Sequence, residues 1–152
     1  MYNNEDFGKI IIVRNMIFHD SYSNARTVDH AWKKGRPCLI LYSDDDFDYV
    51  VPITHQIKNR IFSYHYFPLD KSKISYLVKC GYNVYDIDNN NKIATSAINL
   101  QTVYKIPIFG HFEIAKITSS AYDDLISQLY KIHNIDNLDI LSTGRQLILK
   151  KY

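Results

Sequence analysis

Residues 35–55 read GRPCLILYSDDDFDYVVPITH, and this stretch decides the fold. Arg36-Pro37 opens a nearly continuous apolar run over 37–43, with the length and composition of a buried strand. Residues 44–48 are Asp-rich and form the turn. Residues 49–54 (YVVPIT) make a second strand, with Pro52 near its end, where a missing backbone donor is tolerated. Two strands joined by so short a turn pair antiparallel, and their open ends meet. Arg36 at the mouth of the first then comes beside Thr54 and His55 at the end of the second. A guanidinium, a hydroxyl and an imidazole in one place suit the cleavage or binding of a phosphodiester.

The whole chain has 152 residues, the size of one domain, and 46 % of them are hydrophobic. That is enough for one core and too much for a disordered protein. A net charge of +2 is weak evidence for a nucleic-acid partner. No apolar run approaches the roughly 18 residues of a membrane span. The first residues, MYNNED, are polar and acidic, unlike a secretory signal, so a cytoplasmic protein is expected. Cys38 and Cys80 each sit in apolar sequence and read as buried free thiols in a reducing compartment. Neither Cys-x-x-Cys nor His-Glu-x-x-His occurs, so no zinc motif is expected. Tyrosine is over-used, at 13 residues against one Trp. Tyrosines pack as apolar rings, keep a hydroxyl, and can stack on unpaired bases.

Outward from the hairpin, residues 9–18 (KIIIVRNMIF) are rich in β-formers and read as the first strand, with Arg14 turned to its polar face. Residues 19–35 lack a clean period and read as a long loop, with a helical turn near 27–32. From Arg26 to Arg36 the chain carries Arg26, Lys33, Lys34 and Arg36 against the single acid Asp29. Residues 60–69 read as a strand. Asp70 then caps a short helix over 71–79, with Ile74, Leu77 and Val78 on one face and Gly81 at its end. Residues 82–91, with three consecutive Asn at their end, read as a surface loop. Residues 92–100, 102–108 and 110–117 read as strands, and 121–133 as an amphipathic helix with Leu125, Ile126, Leu129 and Ile132 inward. The tail, 136–152, fits helix and strand equally. The expected fold is α+β: a small twisted antiparallel sheet or partial barrel with two or three packed helices.

The order of a first strand, a long basic loop, Arg-Pro opening a buried strand, and a second strand ending Pro-Ile-Thr resembles the MazF/PemK (Kid-like) toxin superfamily. In that family an Arg at the Arg-Pro step and a Thr closing the next strand lie in the RNA-cleaving site. The resemblance carries those roles to Arg36 and Thr54. Ala97-Ile98-Asn99-Leu100, Ile106-Pro107-Ile108 and the helix from Tyr122 resemble the ToxN/AbiQ/CptN branch, the toxins of type III toxin–antitoxin systems. The likeness runs over roughly residues 9–134. It departs from the branch pattern in one place. His55 and, farther on, Lys58 stand where that pattern has Ser directly after the Thr and a Lys close behind.

The resemblance implies a metal-independent endoribonuclease without a cofactor. It would cut single-stranded RNA to a 2′,3′-cyclic phosphate. Its partners would be substrate RNA and a structured, repeated antitoxin RNA, pseudoknotted and bound in a hetero-oligomeric protein–RNA assembly, with a role in phage defence. Such cleavage uses the 2′-hydroxyl as nucleophile. It needs a base, an acid for the leaving 5′-oxygen, and donors or cations for the phosphate charge. Arg36 suits the last role, and Thr54 can position the phosphate. His55 is the natural titrating group, with His65 a second imidazole and Lys34 a further charge or proton donor. Neighbours on a strand point to opposite faces, so Thr54 and His55 share a site only if the strand ends or bulges at Thr54. Arg14, Lys33, Lys58, Arg60 and Tyr64 are the expected RNA contacts.

Three other readings compete with this one. Arg36 could pair with the acids of the 44–48 turn, or with other acids, instead of a phosphate. Asp44-Asp45-Asp46 could suggest a metal, although consecutive carboxylates on a turn usually spread into water. The fold could also serve a non-catalytic topoisomerase poison like CcdB, or an RNA-binding module that does not cut.

Overall fold

The computed structural model describes residues 4–13, 18–19, 25–26, 36–54, 65–78, 96–108 and 112–135. Ten strands and one α-helix occur among them. The strands are β1 (Lys9–Val13), β2 (Phe18–His19), β3 (Ala25–Arg26), β4 (Arg36–Ser43), β5 (Phe47–Thr54), β6 (Tyr66–Leu69), β7 (Ile74–Leu77), β8 (Ser96–Asn99), β9 (Tyr104–Pro107) and β10 (Phe112–Ile117). The helix is α1 (Ser119–His133).

Eight strands form one antiparallel sheet in the order β6-β8-β5-β4-β1-β10-β7, with β9 also paired to β5. Laid flat, seven strands would hold β6 and β7 about 29 Å apart, at about 4.8 Å per step. Residues 70–73 alone join Leu69 to Ile74, and five steps of extended chain reach at most about 18 Å. The sheet must therefore curl, bringing its edge strands near each other without pairing them. Lys73 Nζ reaches back across the link to the Pro68 carbonyl at 2.6 Å.

The apolar runs of β1, β4 and β5 are continuous because these central strands are buried on both faces. One face holds Ile10, Ile12, Leu39, Leu41, Tyr49, Val51, Ile53, Phe67 and Ile98, with Ala121, Leu125 and Leu129 of α1 in the same cluster. The other holds Ile11, Val13, Cys38, Ile40, Val50, Tyr104 and Ile106. Successive residues of β1, β4 and β5 alternate between the two clusters, as a pleated strand requires, except at Leu41 and Tyr42, which share a cluster where the β4–β5 register shifts. At Gly8 (φ +85°) the chain turns into β1, and a β-carbon there would stand 3.3 Å from Ile117 Cγ1.

Helix α1 has the expected inward face, with Ile126 and Ile132 packed beside the buried Leu125 and Leu129. Thr118 caps its start by accepting the Ala121 N–H at 3.1 Å, and Asn134 ends it in the left-handed conformation. The ladder of β5 with β9 ends at Val50, and that with β8 begins at Ile53. Pro52 falls between these two ladders and pairs with Cys38 of β4 on its other side.

Three expectations need correction. The helix expected over 71–79 does not form in its described part, residues 71–78. Residues Lys71–Lys73 make one 3-10 turn and Ile74–Leu77 become an edge strand. Asp70 does cap, accepting from Ser72 N at 2.9 Å, but the cap serves only that turn. The physical reason is tertiary: the outer edge of β10 offers backbone groups that residues 74–77 satisfy, and this outweighs a weak helical period. Second, the described residues contain one α-helix, not two or three. The expected helical turn at 27–32 and the 136–152 tail lie outside them. Third, within 19–35 a short ladder pairs Phe18 with Arg26 and His19 with Ala25, so that stretch is not all loop. No helix among the described residues is long and apolar enough to cross a membrane.

Candidate functional site

Cys38 pairs with Pro52, so their side chains stand on one face of the β4–β5 hairpin. Arg36 lies two residues before Cys38 and Thr54 two residues after Pro52, which puts both on that same face. Continuing the register two steps brings Arg36 opposite Thr54, at the open end of the hairpin. The neighbours there differ: Arg36 pairs with Val13 of β1, and Thr54 with Ala97 of β8. Both residues are half-buried. The helix packs on the opposite face of the sheet, so the Arg36–Thr54 face is not the one that α1 covers.

Arg36 acts on its surroundings through its charge. Burial pushes the Cys38 thiol far above its ordinary pKa, and the nearby guanidinium partly opposes that rise. The thiol is free and stays protonated. Cys38 should therefore resist an alkylating reagent at pH 8 in the native protein and react on unfolding, as read by mass spectrometry of the Cys38 peptide. Native labelling as fast as that of a simple thiol would contradict the burial.

Thr54 presents a different signal. Its Oγ1 is buried and has no hydrogen-bond partner among the described residues. A buried polar group left without a partner typically costs about 1–3 kcal/mol. Such groups recur where a ligand completes the set.

The turn at the other end of the hairpin is occupied with its own structure. Asp44 Oδ1 accepts from the backbone N–H of Asp46 at 2.9 Å and of Phe47 at 2.7 Å. Its Oδ2 accepts from the Tyr49 hydroxyl at 2.7 Å. Burial alone would raise the Asp44 pKa; these three donors and the Lys105 charge outweigh it and hold the carboxyl below its usual range. Ser43 Oγ donates to Asp48 at 2.5 Å. Asp44 and Asp48 are thus spent on the turn, and no metal-ligand cluster occurs among the described residues. The turn is also no partner for Arg36, since β4 separates them by about 23 Å at roughly 3.3 Å per residue.

His65 precedes β6. In the paired strands Thr54 is level with Ala97 and then with Pro68, which is three residues past His65. Two strand spacings and three residues of rise put the His65 and Thr54 Cα atoms about 14 Å apart. The structure does not bring His65 to Thr54; its carbonyl instead accepts from Leu100 N at 2.9 Å. His55, Lys34, Arg14, Lys33, Lys58, Arg60 and Tyr64 lie outside the described residues. Strand β5 is described as far as Thr54, and the course of the chain at His55, on which a shared site for the two depends, lies outside the described residues.

Two polar residues on this face were not singled out from the sequence. Asn99 follows Ala97 at the next same-face position of β8, and Tyr66 of β6 stands opposite Asn99. The Ile98-Asn99 step is visible in the sequence, but its neighbourhood is not: β5, β8 and β6 become adjacent only through long-range pairing.

No protein-family model matches the chain, and no curated protein matches it.

Proposed function

We propose that this chain is a metal-independent endoribonuclease, the toxin of a type III toxin–antitoxin system, with Arg36 and Thr54 gripping the scissile phosphate. The observation that carries the reading is their placement on one face at the open end of the hairpin, with no partner for the Thr54 hydroxyl among the described residues. A guanidinium forks onto two phosphate oxygens and stays charged at every working pH. A hydroxyl with its hydrogen-bonding capacity unspent can donate to a third oxygen. Together they stabilise the charge that grows on phosphorus as the 2′-oxygen attacks and the 5′-oxygen leaves.

In this mechanism the 2′-hydroxyl loses its proton to a base, the O2′–P bond forms, and the P–O5′ bond breaks. The leaving oxygen takes a proton from an acid. The products are a 2′,3′-cyclic phosphate and a 5′-hydroxyl. His55, next to Thr54 in the chain, is the group proposed to titrate. The structured antitoxin RNA would lie along the basic segment and occupy the same groove.

Purified protein incubated with cellular RNA in EDTA should produce ends of that chemistry, mapped by sequencing. A preparation that never cuts, at any concentration, sinks the proposal. Cutting that requires magnesium refutes its metal-independence.

A further inference from the structure

Beyond Arg36, the same face of the sheet carries three polar side chains at spacings that the strand pairing sets. Thr54 stands opposite Ala97, and Asn99 is the next residue of β8 on that face. Thr54 and Asn99 are therefore diagonal neighbours, with Cα atoms about 7–8 Å apart. Tyr66 stands directly opposite Asn99, and its ring packs with Ala97.

Asn99 is only 9 % exposed. Its Oδ1 accepts the backbone N–H of Gln101 at 3.0 Å, which decides which way the amide points. The amide nitrogen then faces away from that bond. An amide held in one orientation on this face can meet a ligand seated beside Thr54.

We infer that Asn99, with Tyr66 beside it, reads a nucleobase next to the phosphate held by Arg36 and Thr54. The inference rests on the phosphate-site reading above. Contacts to phosphates set register and carry no sequence information, whereas side chains that reach base edges carry sequence preference, and an amide offers a base edge both a donor and an acceptor. A base seated on this row would accept from Asn99 Nδ2 while the Tyr66 hydroxyl reaches a second edge atom. Asn99 is thus a specificity-determining residue.

The test reads binding, so it can fail separately from the nuclease proposal. Labelled 2′-O-methyl hexamers of A, C and U, which lack the nucleophile, are titrated by fluorescence anisotropy. Asn99→Asp keeps an oxygen for the Gln101 N–H and exchanges two donors for an acceptor. Wild type should rank the three hexamers, and Asn99→Asp should change the ratio of at least one pair by about tenfold. Arg36→Ala should weaken all three alike. Tyr66→Phe, which keeps the ring, should move the same ratio by a smaller factor and serves if Asn99→Asp does not fold. A wild type indifferent to base, or a ranking that neither variant changes, overturns the inference. A ranking that responds to Asn99 in a protein that never cuts RNA supports base reading and sinks the nuclease. Failure to bind any hexamer sinks both.

Discussion

Thr54→Val is expected to slow RNA cutting by about 10²-fold while leaving the fold at least as stable. Valine keeps the β-branched shape that β5 packs and removes a buried hydroxyl that has no partner among the described residues. Removing an unsatisfied buried group relieves a penalty of about 1–3 kcal/mol, so the melting temperature should hold or rise. Losing a donor aimed at transition-state charge typically slows a reaction by about 10²–10³-fold. Arg36→Ala should lower cutting at least as far, with little change in stability, because Arg36 is half-buried at the very start of β4. The measurements are initial cutting rates on one RNA and thermal melts of the same preparations. A Thr54→Val protein that melts lower and cuts normally would show that the hydroxyl belongs to the fold and not to a site.

Leu125→Ala should do the reverse. Leu125 is fully buried, and it anchors α1 on the sheet face opposite Arg36 and Thr54. Removing three carbons from a closed core typically costs about 3 kcal/mol, the lost transfer energy plus the cavity left behind. For a chain of this size that lowers the melting temperature by about 10 °C. Below the new transition any cutting rate should stay near wild type, since the sheet of β4, β5 and β8 separates the cavity from Arg36 and Thr54. A change of less than about 1 kcal/mol in denaturant unfolding would mean that α1 contributes little to the core. The two variants together separate a group needed for chemistry from one needed for folding.

Much of this architecture was legible locally. The continuous apolar runs, the Asp-rich turn between them and the helix period of 121–133 each arise from neighbours in the chain, and each element formed within a few residues of where the pattern placed it. The helix expected at 71–79 failed for a reason that no local pattern carries. Ile74, Leu77 and Val78 fit one helical face, but the backbone of β10 had an open edge, and residues 74–77 filled it. His65 was misplaced for a related reason. Proximity in sequence to the hairpin says nothing about the strand that comes between, and β8, from 30 residues later, inserts itself between β5 and β6.

The sequence by itself determined the hairpin of residues 36–54 and that Arg36 and Thr54 lie at its open end. A short turn leaves an antiparallel pair no other way to bring its ends together. Only the tertiary structure decided which face the helix covers, which carboxylates the turn consumes, and that Asn99 and Tyr66 stand beside Thr54. Those outcomes depend on backbone groups that must find partners far along the chain, and on burial that exists only once the sheet has curled on itself.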